Sequence, residues 1–146
     1  MLAVHLSEVS FEEPWVEGAP HQTLRFVFPL LGRGPENEAS SLVYFEVEPG
    51  NELVRHTDSA EELLFIVQGR LEVSVGDETG IVEGPSFALV PAMAPHGVRN
   101  VGTETAKVAG FFAARHIVSH FDKVWQPIGT NVVDTAKIEE AMLVQQ

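Results

Sequence analysis

Cysteine is missing from this 146-residue chain. Disulfides, thiolate metal sites and thiol nucleophiles are therefore excluded. A chain without disulfides fits a reducing compartment, and a cytoplasmic location is the expectation. Positive charge is scarce: nine Lys plus Arg stand against 21 Asp plus Glu, for a formal charge of −12. Such a surface repels phosphate backbones, so no nucleic-acid partner is expected, and anionic substrates are not steered from a distance. Arg25, Arg33, Arg55, Arg70, Arg99 and Arg115 are scattered and can act only locally. No stretch approaches the ~18 consecutive apolar residues of a membrane helix, so no membrane span is expected. The start, Met1 to Glu8, has neither the basic residues nor the apolar run of a secretory signal. A nucleophile elbow, a phosphate-binding glycine loop and a dinucleotide fingerprint are absent too. Gly32-Arg33-Gly34 lacks the third glycine and opens onto no helix. There is no internal repeat and no low-complexity segment.

What is present is 45% hydrophobic residues with a mean hydropathy of +0.07, punctuated by 12 Gly and nine Pro. This suits one domain large enough to bury its own core. Residues 1–23 read as an extended lead-in, with His5, Phe11 and Trp15 among acids and with Pro14 and Pro20 limiting regular structure. Residues 24–31 read as a strand, 32–41 as a loop, and 42–47 as a strand that ends at the turn signal Glu48-Pro49-Gly50. Residues 63–67 form an apolar, partly β-branched strand, and Gly69 marks a tight connection. The alternation in 70–75 predicts a half-buried strand. Short strands follow at 81–82 and 87–90; after the two-proline bend Pro91 to His96, residues 97–100 lead into the next strand, and an apolar run over 106–114 follows the turn at Gly102 to Thr105. Strands at ~8–12 residue spacing predict an all-β sandwich or barrel. Tyr44, Phe45, Phe65, Phe87, Phe111 and Phe112 are expected in the core. Residues 115–127 fit strand or helix equally, and Asp134 is placed to cap a helix over 137–144.

The chemistry concentrates in Gly50 to Gly69, G-N-E-L-V-R-H-T-D-S-A-E-E-L-L-F-I-V-Q-G. His56, Asp58 and Glu62 lie at even separations and share a face if the chain stays near-extended. An imidazole and two carboxylates entering a buried strand need compensation, from a divalent cation, from solvent in an open cavity or from hydrogen bonds. A second segment, Gly84 to Asn100, places His96 after the rigid bend.

Together the two segments resemble the paired motifs of the cupin superfamily. The first motif, G-x5-H-x-H-x3-4-E-x6-G, matches at Gly50, His56, Asp58, Glu62 and Gly69 with every spacing kept. The second, G-x5-P-x-G-x2-H-x3-N, matches at Gly84, Pro91, His96 and Asn100. It carries one extra residue before Pro91, and Met93 stands where the glycine usually sits. The resemblance implies a double-stranded β-helix, or jelly-roll barrel, over residues 24–115, followed by a C-terminal extension (116–146) with a short helix. It implies a divalent transition metal (Fe, Mn, Zn or Ni) held by His56, Asp58, Glu62 and His96. Asp58 replaces the family's second histidine. It either supplies a fourth, harder ligand or falls short and leaves a two-His-one-carboxylate set; a decayed, metal-free site is the third reading.

Other candidates carry less. His116 and His120, four apart, have no third ligand, and His5 and His21 sit in loop-like sequence. Glu61 points away from Glu62, and Arg55 and Arg99 point away from the metal positions. By strand parity Leu64 and Ile66 share the face of Glu62, and Val98 that of His96, so the cavity is expected to be apolar beyond the ligands. The implied activity is metal-assisted chemistry on a small organic molecule, as a dioxygenase or isomerase; the alternative is a non-catalytic binding or sensing module. A homodimer is expected, with residues 1–20 packing on the partner.

Overall fold

A computed structural model of the protein describes residues 1–30 and 39–137. Among these, a 3-10 turn (Leu6–Glu8) precedes thirteen strands: β1 (Trp15–Val16), β2 (Ala19–Thr23), β3 (Arg25–Val27), β4 (Ser41–Val47), β5 (Glu52–Asp58), β6 (Glu62–Gln68), β7 (Arg70–Val75), β8 (Glu78–Glu83), β9 (Ser86–Val90), β10 (His96–Asn100), β11 (Ala106–Phe112), β12 (Val118–Trp125) and β13 (Thr130–Asp134). β1 and β2 form a small ribbon; the rest make a six-stranded sheet, β13-β12-β5-β10-β7-β8, and a five-stranded sheet, β3-β4-β11-β6-β9. All pairings are antiparallel. The two sheets enclose one core, in the jelly-roll arrangement expected from the motifs. No helix among the described residues is long and apolar enough to cross a membrane.

The strands form where apolar residues recur at a period of two. In β11, Ala106, Val108 and Phe112 are buried, while Lys107, Ala109 and Phe111 alternate outward. Ala106 and Val108 share one core cluster with Val47, Ile66 and Leu71, all of them fully buried. Each buried Val, Leu or Ile contributes roughly 1.5–3 kcal/mol by leaving water, so a charge at Val108 would break the barrel. Two motif glycines earn their places by backbone conformation. Gly50 and Gly69 sit at φ +84° and +105°, where an L side chain is strained, and a Cβ at Gly69 would lie 2.7 Å from Ala106 Cα. Asn100 is buried and fully satisfied. Its Nδ2 donates to Val47 O and Glu104 O (both 2.8 Å), and its Oδ1 accepts from Gly102 N (2.9 Å), tying three turns together.

Several expectations are corrected. The first strand of the five-stranded sheet is only Arg25–Val27, and the chain bends before Pro29. The ambiguous stretch after residue 115 is strand, and β12 joins the six-stranded sheet beside β5. Residues 135–137 begin a helical turn in which Asp134 Oδ1 accepts from Ala136 N (3.0 Å); the rest of the expected helix lies outside the described residues, as does most of the 32–41 loop. Phe65, Phe87 and Phe111 are not core. The alternation that sends Phe45 and Phe112 inward turns these three outward, and Phe87 is 79% exposed.

The lead-in is also less free than its composition suggests. Glu12 and Phe26 exchange two backbone hydrogen bonds (2.9 Å each), and so do Trp15 and Gln126 (3.0 and 2.7 Å). Phe11 packs on Tyr44 (5.9 Å between rings) beneath the Arg25 guanidinium (3.9 Å). From Phe11 onward the segment is held by its own barrel.

Candidate metal centre

β5 carries His56 and Asp58 on one face, two residues apart, so both enter the barrel. In β10, His96 lies in register opposite His56, with ring centroids 4.1 Å apart. The turn after β5 returns the chain into β6, whose first residue is Glu62. All four side chains are buried. The donor atoms of His56, Asp58 and His96 lie within 4.8 Å of one another. Asp58 Oδ2 is 3.1 Å from His96 Nε2 and 3.6 Å from His56 Nε2. Glu62 Oε1 is 3.5 Å from His96 Nε2, at the edge of this trio. Asp58, the residue whose reach was in question, sits at the centre, and Glu62 is the peripheral one.

The ring orientations are set from behind. His56 Nδ1 is 2.8 Å from Val54 O and His96 Nδ1 is 2.9 Å from Ala94 O. A carbonyl oxygen can only accept, so both Nδ1 atoms carry hydrogen and both Nε2 atoms face the centre, the arrangement that metal-binding imidazoles use. Phe121 of β12 stacks on His56 at 4.5 Å. Ser119, opposite Asp58 in the β12–β5 register, donates its hydroxyl to Asp58 Oδ1 at 2.5 Å. Asp58 thus has one oxygen occupied and the other aimed inward. That second oxygen and His96 Nε2 are buried with no hydrogen-bond partner. Two such atoms 3.1 Å apart cost free energy unless a proton or a cation lies between them. The residues therefore fit a divalent ion: two imidazole nitrogens and a carboxylate oxygen converge, already oriented, on one point.

The same proximity perturbs the ionisations. Burial drives His56 down to about 4, helped by the neighbouring His96. Burial also lowers His96, but the facing carboxylates of Asp58 and Glu62 outweigh it and raise the group to about 9. Burial works to raise Asp58, yet His96, His56 and the Ser119 hydroxyl together bring it below the usual carboxylate range. Glu62 is raised, mainly by burial. One carboxylate is held ionised and its neighbour is pushed toward the protonated form.

Around the trio is an apolar cavity. Phe26, Phe28, Phe45, Phe112, Phe121 and Trp125 supply its aromatic wall, and Leu64 and Val98 are among its aliphatic residues, as strand parity predicts. Ile66 goes to the core instead. Apart from the two histidines, the described lining includes no basic side chain. The β12 contributions, Ser119 above all, were not legible: a serine in a stretch of undecided structure carries no signal until pairing sets it against Asp58. The remaining candidates lie elsewhere. His21 pairs with Glu52 (3.3 Å), His5 contacts Ser7 (2.7 Å), and His120 is exposed on β12. Arg55 reaches Gly76 O (2.9 Å), and Arg99 lies 3.4 Å from Glu72.

Residues 43–112 match the family model described as "Cupin domain". A curated relative from Streptomyces cyaneus, "Polyketide synthase CurC", is 33% identical over 63 residues, which cover 42% of this chain and 41% of that protein. Among solved structures, the polyketide cyclase RemF from Streptomyces resistomycificus superposes with a TM-score of 0.62 at 20% identity, covering 77% of this chain and 78% of the other. Lactobacillus farciminis oxalate decarboxylase, in its formate complex, reaches a TM-score of 0.69 at 19% identity over 81% of this chain but 35% of its own. At these identities the structural likenesses speak for the fold alone.

Proposed function

Because this chain belongs to the cupin superfamily, we propose that its barrel is a metal-dependent active site for a small, largely apolar molecule bearing oxygen donors, of the polyketide-like aromatic type. His56, Asp58 and His96 would hold the ion, with Glu62 beside them. When bound, a divalent ion supplies Lewis-acid polarisation of a substrate oxygen. The chain's own residues do the rest. The aromatic wall excludes water and receives a flat, apolar ring system. Glu62, which burial pushes toward its protonated form, stands next to the trio and is the group in place to hold or return a substrate proton. This suits an isomerisation or ring closure, in which a proton moves and no external nucleophile is needed.

The single observation that carries this reading is the convergence of Asp58 Oδ2 and His96 Nε2, buried 3.1 Å apart, in a cavity whose described lining holds no Lys or Arg. Apart from the ion itself, a dicarboxylate such as oxalate would meet two carboxylates and, among the described lining residues, no guanidinium or ammonium. Support for the substrate class comes from the Streptomyces cyaneus relative, a polyketide synthase protein.

The test is metal analysis of the purified protein, followed by assays with neutral aromatic 1,3-diketones and with oxalate. One ion per chain and conversion of the diketones are expected, with Glu62→Gln retaining the ion and losing turnover. Absence of metal uptake on reconstitution, or consumption of oxalate in preference to the diketones, overturns the reading. Tight diketone binding without turnover would make the protein a binding module instead.

A further inference from the structure

β3 and β13 are edge strands of the two sheets, and among the described residues no strand pairing joins them. Residues 12–15 run between the sheets instead. Glu12 is bridged to Phe26 of β3, and Trp15 to Gln126 just past β12. Pro14 stands between these two anchors. It is buried, its carbonyl accepts from the Thr23 hydroxyl (2.8 Å), and its ring side lines the cavity. The turn from β12 to β13 supplies a second boundary. Gly129, at φ +73°, donates its N–H to Trp125 O (2.8 Å), and the preceding residue, Ile128, lines the cavity although it is 58% exposed. A side chain that both lines a cavity and meets solvent marks where that cavity opens. The opposite extreme is the polar end, where His56, Asp58, Glu62 and His96 are all buried.

We propose that Ile128, working against the fixed Pro14, sets how large a ring system the cavity admits. It is then a specificity-determining residue for the reaction proposed above, on whose reading of the cavity this inference rests. The oxygen donors of a substrate belong at the buried polar end, so its apolar rings trail toward the open one and meet Ile128 last. Pro14 cannot retreat to make room, because backbone bridges two residues before it and one residue after it hold the segment to both sheets. Ile128 is held less tightly: it lies in a turn and takes no part in the core cluster. One methylene more or less at an apolar wall changes discrimination by roughly 10–200-fold. The division follows the sequence. All four candidate metal donors lie within residues 43–112, which match the family model, whereas Pro14 and Ile128 lie outside them. The barrel supplies the chemistry, and the flanking segments choose the size of what reaches it.

A fluorescence titration of the full chain tests the proposal. Trp125 lines the cavity and is 3% exposed, and Trp15 is the chain's other tryptophan. Trp15 bonds Gln126 through its backbone, so Trp15→Phe keeps that bridge and leaves Trp125 as the reporter of occupancy. In this background the protein is titrated, with and without Zn(II), with acetylacetone, 1-phenylbutane-1,3-dione and 1-(2-naphthyl)butane-1,3-dione. Ile128→Trp should lower the affinity for the naphthyl compound relative to acetylacetone by at least about 10-fold. Ile128→Ala should shift that ratio the opposite way, and both variants should keep the far-UV spectrum. A ratio that neither substitution moves, or no quenching by any of the three compounds, overturns the proposal. A ratio that follows Ile128 without any help from Zn(II) upholds it, and overturns the metal-dependent reading of the site instead.

Discussion

Asp58 can stand where a histidine is usual because Ser119 takes up its other oxygen. The shorter side chain gains a fixed direction from β12 in place of ring length. Ser119→Ala leaves Oδ1 buried and unpaired, which costs about 1–3 kcal/mol and releases the carboxylate to rotate. Metal affinity should fall roughly 10–100-fold while the other donors stay in place; isothermal titration with Co(II) or Mn(II), alongside thermal melts, checks both effects. Unchanged affinity would mean that Asp58 is held by the barrel without the serine. Met93 is a second residue-scale consequence of the motif. It sits at φ +64° in the left-handed region, its N–H donating to Asp58 O at 2.8 Å, with its side chain 58% exposed. Nothing in its packing repays the strain. Met93→Gly should stabilise the protein by roughly 0.5–1 kcal/mol, the relief of a left-handed side chain less the added freedom of the unfolded glycine, as read by chemical denaturation.

At the scale of elements, β11 passes behind Glu62 at Gly110. A Cβ there would collide with Glu62 Oε2 and come within 2.8 Å of Val43 Cγ1. The glycine gives the carboxylate its room. Gly110→Ala should therefore displace Glu62 and reduce turnover sharply while His56, Asp58 and His96 still take up metal. Loss of metal together with activity would instead make Glu62 an essential ligand. The period-two pattern made β4, β6, β7 and β11 legible, because each strand has one dry face and one wet or covered face. It misled for Phe65, Phe87 and Phe111, since aromatic residues alone do not say which of the two faces is dry. β12 was undecided because its outward residues are a mixture of charged, aromatic and aliphatic side chains, with no single polar face.

For the whole molecule, pH and metal are linked through the two histidines. In the metal-free protein His96 is raised to about 9, so its contribution to stability is fully present below the unfolded value near 6.5 and is lost as pH rises toward 9. His56 is lowered to about 4; the unfolded chain binds that proton first, so stability is lost as pH falls from about 6.5 toward 4. Through these two groups the metal-free protein should be most stable near neutrality. Metal requires neutral His96, so uptake at pH 7 should release about one proton, seen as a buffer-dependent heat of binding. Loading should also flatten the alkaline loss of stability. Melts across pH with and without metal decide it, and no proton release would mean that His96 is already neutral.

The chain's own order of residues determined the β class, the turns and the four candidate side chains of the site. These follow from local physics: glycines needed at positive φ, prolines at bends, and polar residues spaced to one face of an extended chain. The structure decided which of those four converge. Ligation depends on distances between β5, β6 and β10, which meet only through long-range pairing, and that pairing put Asp58 at the centre and Glu62 at the edge. It also decided what surrounds them, the Ser119 hydroxyl, the Phe121 stack and the aromatic wall, and where the N-terminal segment packs on its own barrel. Each is a contact between residues far apart in sequence, set by strand register, which no single stretch encodes.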